Sequence, residues 1–428
     1  MPAHATAPRQ SLTHWLDAAL AAASAERCVP PALPEPPAHG RTLVVGAGKA
    51  AAAMAAAVES AWPTPLSGTV IIPYGHAVST EHIKVLEAGH PVPDSAGIAA
   101  TERLLACLDG LEAQDLVLVL LSGGGSALLT APAPPLALAD KQALTRELLR
   151  SGAPISAMNT LRRQLSAVKG GRLALRAYPA RVITLLISDV PGDDPATVAS
   201  GPTAAATSTP EAALALLRRY GISCPASVEA ALSHAEPPPQ PGDPRLARVE
   251  HRVIASAQSA LQAAAQAARA QGVTPLLLGD ALEGEAREVG RIQAGIARSC
   301  QRWGTPCTPP CVLLSGGETS VTVRGGGQGG RNTELALAAA LALEGAADEY
   351  YVLSADSDGI DGNTHSAGAL VDPGTLARAR DAGLDPHAHL DHNDSHSLFA
   401  ATGDLLRTGP TLTNVNDFRA LYLPSSIS

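Results

Sequence analysis

Residues 41–50 read Arg41-Thr42-Leu43-Val44-Val45-Gly46-Ala47-Gly48-Lys49-Ala50. A short apolar run enters a glycine turn, and the alanine-rich segment from Ala50 to Glu59 reads as helix. The unit is therefore strand, glycine turn, helix. The same grammar returns at Asp115 to Leu121 before Ser122-Gly123-Gly124-Gly125-Ser126. It returns again at Arg181 to Ile187 before Ser188-Asp189-Val190-Pro191-Gly192. Strands that alternate with helices imply a parallel sheet wrapped on both faces. Further along, His251 to Ala255, Val273 to Leu278, Cys311 to Leu314 and Tyr350 to Leu353 read as strands. Helices are expected near Gln258–Ala270, Gly284–Ser299 and Asn332–Leu343. The expected fold class is α/β with two domains, each a mostly parallel sheet flanked by helices.

At 428 residues the chain exceeds what one hydrophobic core usually serves. The segment His234-Ala235-Glu236-Pro237-Pro238-Pro239-Gln240-Pro241-Gly242-Asp243-Pro244 holds five prolines and suits neither a helix nor a central strand. It predicts a linker over 234–247, between domains spanning 1–233 and 248–428. An opening helix over Ser11–Glu26 is stopped by the prolines from Pro30 to Pro37.

Hydrophobic residues make up 46% of the chain but aromatic ones only 3%, so Ala, Leu and Val must fill the interior. A net charge of −9, with no long Lys/Arg block, argues against a nucleic-acid partner. The six cysteines are scattered without a zinc-type pairing, which points to a reducing compartment. No basic start precedes an apolar run of export type, and no apolar run is long enough to span a bilayer. A cytoplasmic protein without a membrane partner is expected, and a homodimer is left open.

The string Leu120-Leu121-Ser122-Gly123-Gly124 reappears as Leu313-Leu314-Ser315-Gly316-Gly317, each copy at the end of a buried strand. Open α/β sheets bind ligands beyond the carboxyl ends of their strands, so an active site is expected in the cleft between the domains. Glycines there let backbone N–H groups approach a phosphate; a plain tight turn is the competing reading of Ser122–Ser126. Gly46-Ala47-Gly48-Lys49 is only a fragment of a dinucleotide or P-loop signature. Lys49, however, sits where a helix begins, a place that disfavours a cation unless an anion joins it. It suits charge neutralisation on a transferring phosphoryl group. Asn159, Arg162 and Lys169 lie in a cationic stretch that either holds an anionic substrate or offsets a helix dipole. Arg331 follows the run Gly325-Gly326-Gly327-Gln328-Gly329-Gly330, which reads as a mobile loop with the arginine as an anion clamp. Asp189 and Asp193, and in the second half Asp358, follow strand ends and offer hard oxygen atoms to Mg²⁺; turn stabilisation is the alternative. His90 in Gly89-His90-Pro91-Val92-Pro93-Asp94 is a candidate contact near the site.

These strings together resemble the glycerate 2-kinase family, whose members join an amino-terminal α/β domain to a MOFRL domain. The likeness rests on Val45–Ala50, Gly89–Asp94, Leu121–Ser126, Asn159-Thr160, Lys169–Gly171 and Ser188–Val190. Ser200-Gly201-Pro202-Thr203, Ser315–Thr319 and Gly329–Asn332 complete it. It implies ATP-dependent phosphorylation of D-glycerate at the 2-hydroxyl, with Mg²⁺. Lys49 and Arg331 would then stand at the reacting phosphoryl group, with Asp189 as a metal or hydroxyl partner. The nucleotide would lie on Gly46, Gly48, Ser122, Gly123, Gly124, Gly125 and Ser126, and on Ser315, Gly316, Gly317 and Glu318. The family pattern usually has Pro at the position of Asn363 and an acid at that of His365, so this turn departs from it. Proteins of this resemblance are also named hydroxypyruvate reductases, an alternative that would need a nicotinamide site.

Overall fold

The computed structural model describes residues 6–152, 155–234, 237–346 and 348–425. They form two compact units, one of Ala25–Ile254 and one of Met1–Ser24 with Ala255–Ser428.

The first unit is built on six strands: β1 (Thr42–Ala47), β2 (Leu66–Pro73), β3 (Ile83–Ala88), β4 (Leu116–Leu121), β5 (Arg181–Ile187) and β6 (Val249–Ala255). Their order is β3-β2-β1-β4-β5-β6, and the pairs from β3 through β5 are parallel. Every residue of β1 and β4 is buried, as strands covered on both faces require. Two glycines let the central strands close up. A Cβ on Gly68 would lie 1.7 Å from the Val44 carbonyl oxygen, and one on Gly46 would lie 2.2 Å from that of Leu120. Val45, Ile71, Val119, Leu121 and Leu186 build the core with Leu104 from the helix Ser95–Ala106. That helix starts where the Asp94 carboxylate accepts the Gly97 N–H at 2.9 Å, an N-cap. A second cluster joins Leu144, Leu161 and Leu217 from the helices Leu138–Arg150, Ile155–Gln164 and Pro210–Arg219.

The expected linker over 234–247 is corrected by this architecture; its Ala235 and Glu236 lie outside the described residues. Pro238 and Pro239 pack against Gly170 and Gly171, and the Pro239 carbonyl accepts the Ala206 N–H at 3.0 Å. The prolines thus lead the chain across its own unit into β6, and the units part only after Ile254.

The second unit holds β7 (Thr274–Gly279), the short β8 (Gly284–Glu285), β9 (Cys311–Ser315), the short β10 (Thr319–Ser320), β11 (Tyr351–Asp356), β12 (Gly368–Val371), β13 (Leu405–Leu406) and β14 (Asp417–Leu423). Its main sheet runs β13-β12-β11-β14-β9-β7. Only β7 and β9 pair in parallel; β11 with β12, β11 with β14, β12 with β13 and β14 with β9 are antiparallel. The expectation of a mostly parallel sheet in this half is therefore corrected. Antiparallel neighbours need no crossover helix, and the link from β11 to β12 is a turn-rich loop.

The opening helix spans Thr6–Ala22 and belongs to this second unit, not to the one that follows it in sequence. Leu12, Trp15, Leu16 and Ala19 recur at helical spacing and are buried. The Trp15 indole N–H donates to Gln271 Oε1 at 3.1 Å, and its ring meets Tyr422 edge-on at 5.1 Å. Arg9 adds ion pairs to Asp372 and Asp404, carboxylates that Arg378 also holds.

The glycine run 325–330, expected to be a mobile loop, is instead pinned. Asn393 Oδ1 accepts the N–H groups of Arg324 and Gly325 at 2.7 and 3.1 Å, and Asp394 Oδ1 accepts that of Gln328 at 2.9 Å. A Cβ on Gly325 would lie 2.3 Å from the His392 carbonyl oxygen, and one on Gly327 would lie 2.4 Å from Asp394 Cβ. Close backbone approach is why these positions are glycine.

Two measurements check this architecture. Trp15→Ala should cost about 3–5 kcal/mol in denaturant titration, with hydrogen-exchange protection falling in 257–270 and 417–423 and holding in β1 and β4. Gly327→Ala should lower the melting temperature by several degrees, because a backbone must shift. Gly326→Ala, where a Cβ meets open space, should leave it unchanged.

Candidate functional site

In the first unit the strand order reverses between β1 and β4, the place where doubly wound sheets open a crevice at the carboxyl ends of their strands. The turn carrying Lys49 follows β1, and Ser122–Ser126 follows β4. The two are tied together: the Lys49 N–H donates to the Gly123 carbonyl at 2.8 Å, and the Ser122 N–H donates to that of Ala47 at 3.2 Å. Ser122 is fully buried, and its Oγ accepts the Ala50 N–H at 3.0 Å. Gly48, at φ +140°, has no room for a Cβ, which would fall 2.1 Å from that Oγ. Gly46 and Gly48 thus answer to strand approach.

Gly124 adopts the left-handed region at φ +82°, and a Cβ there would lie 3.1 Å from His90 Nε2 and 3.5 Å from Lys49 Cγ. Lys49, His90 and the glycine turn, distant in sequence, therefore meet at one point. Ser126 Oγ lies 2.8 Å from Ser200 Oγ, which donates to Asn159 Oδ1 at 3.2 Å. Ser200 is held at φ +63° and Ala199 at φ +51°, a strained pair for residues with a Cβ. Beyond β5, Asp189 and Asp193 are partly exposed, while neighbouring Asp194 is taken up by the Ala196 N–H and the Thr197 hydroxyl.

Lys169 is buried, and its Nζ donates to the Leu129 carbonyl. Burial, then the nearby charges of Lys141 and Arg162, hold its pKa well below the ordinary lysine value. Arg162, with Nη1 3.4 Å from Asn159 Oδ1, is likewise lowered by burial. Lys141 was not singled out from the sequence. It sits in an amphipathic helix, where a lysine reads as a solvated face, and only the fold brings it beside the other two cations.

In the second unit Ser315 Oγ accepts from Gln293 Nε2 at 2.8 Å, and the Gly316 N–H donates to the Gly279 carbonyl at 2.9 Å. Gly317, at φ +108°, lies against Leu282, where a Cβ would be 2.3 Å from the backbone nitrogen. This glycine turn is largely spoken for by packing. Arg331 sits at the start of the helix Arg331–Leu343 and binds three acids, Asp417 at 2.8 Å and Glu318 and Asp356 at 2.7 Å each. Burial works against its charge, but Asp417, Asp356 and Glu318 raise its pKa above the ordinary arginine value. Arg419, buried, pairs with Asp417 at 2.5 Å. Asp361 accepts the N–H groups of Asn332 and Thr333, each at 2.9 Å, and so caps that helix as an anion should. Asp358 commits Oδ1 to the Ile360 N–H of its own turn. Among the described residues no group of three or more His, Cys, Asp or Glu side chains could hold a metal ion by itself.

The chain is similar to known proteins over nearly its whole length. Residues 11–233 match the family model described as a domain of unknown function, DUF4147, and residues 311–417 match the MOFRL family. A D-glycerate 2-kinase of Thermotoga maritima is 43% identical, over 88% of this chain and 89% of its own. A relative from Agrobacterium vitis, provisionally named a hydroxypyruvate reductase, is 52% identical over 97% of this chain and 94% of its own. The crystal structure of a glycerate kinase from Thermotoga maritima superposes with a TM-score of 0.88 at 39% identity, covering 98% of this chain and all of that one. With both segments present in order and the fold shared from end to end, the chain belongs to the glycerate kinase family.

Proposed function

We propose that this chain transfers the γ-phosphoryl group of ATP to the 2-hydroxyl of D-glycerate, giving 2-phospho-D-glycerate. The observation that carries this reading is the meeting of Lys49, His90 and the Gly124 turn at the switch point of the first sheet. It is supported by the names of the kinase relatives.

Phosphoryl transfer asks little covalent chemistry of the protein; positioning and charge stabilisation do most of the work. Lys49, at the start of a helix, offsets negative charge that grows on the transferring group. His90, beside Lys49, contacts the acceptor. The glycine turn after β4 lets backbone approach the phosphates without a Cβ between. Asn159, Arg162 and Lys169 serve the acidic acceptor.

Mg²⁺ usually takes one or two protein carboxylates and fills its remaining positions from phosphate and water. Asp189 and Asp193 fit that demand: both present hard oxygen donors, partly exposed, past the end of β5. Held by Asp189 and Asp193, the ion would supply positive charge that lowers the repulsion between the phosphates and the incoming hydroxyl. In the second unit Asp417, Asp356 and Glu318 surround Arg331, Arg419 pairs with Asp417, and Asp361 lies beside them, so carboxylates outnumber guanidinium groups among these residues. A surplus of carboxylates suits a cation better than bare phosphate, and Arg331 holds these carboxylates in place.

Hydroxypyruvate reduction is the competing activity; Ala51 stands in the third glycine's place of the turn after β1, and β2 ends on Ile72-Pro73 without the acid that would hold a nicotinamide ribose. Incubation with D-glycerate, ATP and Mg²⁺, read by phosphorus NMR, should yield 2-phosphoglycerate. NAD(P)H oxidation with hydroxypyruvate and no phosphorylated product would replace this reading with the reductase. Lys49→Ala should lower turnover by about 10²–10³-fold while the circular dichroism and melting temperature hold; wild-type turnover in a folded variant would remove Lys49 from the chemistry.

A further inference from the structure

Three cations of the first unit stand together with no acid beside them among the described residues. Lys141 comes from the helix Leu138–Arg150, Arg162 from the helix Ile155–Gln164 and Lys169 from the turn before Arg172. The Nζ of Lys141 is buried and has no hydrogen-bond partner among the described residues. Lys169 is fully buried and its ammonium donates to a carbonyl, while Arg162 reaches the side-chain oxygen of Asn159, and among the described residues neither meets an acid. The charged neighbours felt by Lys141 and Lys169 are other members of the trio, so each cation raises the cost of the next. The acid nearest in sequence, Asp140, is turned to the Ala137 N–H at the start of its own helix.

A buried charge without a counter-ion costs several kcal/mol, and two more of the same sign beside it add to that. Such a cluster is tolerable when an anion enters it. Its surroundings name the kind of anion. Asn159, next to Arg162, accepts from Ser200, and Ser200 touches Ser126 in the turn after β4. A cation seat leading into a string of hydroxyl and amide groups matches a small acid that carries its own hydroxyls.

We propose that Lys141, with Arg162 and Lys169, seats the carboxylate of the acceptor hydroxy acid, Lys141 supplying the ammonium that pairs with it. The assignment to the acceptor rests on the kinase reading above. Nucleotide phosphate is the other anion at hand, and by that reading it belongs to Lys49 and the glycine turns.

The seat has a pH limit. Burial, then the charge of Arg162, pushes Lys141 down to about 8. The groups facing it, Arg162 and Lys169, are both cationic, and no carboxylate of the described residues opposes the shift. The ammonium is charged below that value and neutral above it, so the KM for D-glycerate should climb as pH passes about 8.

The test pairs Lys141→Met with Lys141→Arg. Lys141→Met should raise the KM for D-glycerate by about tenfold or more, with the KM for ATP unchanged, and Lys141→Arg should recover most of the loss and move the pH limit upward. Removing an unpaired buried ammonium should also hold or raise the melting temperature of the ligand-free protein, which a purely structural lysine would not do. An unchanged KM for D-glycerate in folded Lys141→Met overturns the proposal, and a rise confined to ATP gives the cluster to phosphate instead. Should the wild type make no phosphoglycerate at all, the kinase reading falls, and calorimetry of the nucleotide-free protein decides the seat. Heat from D-glycerate that is lost in Lys141→Met, with inorganic phosphate giving none, upholds it; equal binding by both proteins refutes it.

Discussion

The close approach of β1 to β4 is the constraint on which the first unit depends. Their backbones come so near that Gly46 cannot carry a Cβ beside Leu120, nor Gly48 beside Ser122. That contact draws the two glycine turns together at the strand ends, where the Lys49 amide is tied to Gly123. Lys49, His90 and Gly124 are neighbours because the strands are. A Cβ at either glycine would part the sheet and the site at once.

Charge is handled in opposite ways in the two units. Around Lys141, Arg162 and Lys169 positive charge is buried with no acid beside it among the described residues, a costly arrangement. Around Arg331 the reverse holds, because three carboxylates outnumber the two guanidinium groups. On the proposed kinase reading, the first of these would hold the acid. Neither cluster follows from the overall charge of −9, which averages them away.

β1, β4 and β5 were legible because each is a short apolar run leading into a glycine-bearing turn, and parallel strands buried on both faces leave that mark; β3 and β6, with charged residues and partial exposure, do not carry it. Lys49, Asn159 and Lys169 could be picked out as ordered motifs. The second sheet was less legible. β14 lies at its centre, yet Arg419 interrupts its apolar run, and β12 is only four residues long. The run 325–330 misled for a different reason: five glycines in six residues look like freedom. Here they mark a backbone laid against His392 and Asp394 with no space for side chains.

By itself the sequence determined the α/β class, the strand–turn–helix units and the motifs that mark the family, since local periodicity and glycine placement are local properties of the chain. Only the tertiary structure decided that the opening helix packs with the second unit and that the prolines of 238–239 belong inside the first. It likewise decided that Arg331 is held by three acids and that Lys141 joins two distant cations. Those outcomes depend on contacts between residues far apart in sequence, and a buried ammonium and a solvated one are spelled with the same letter.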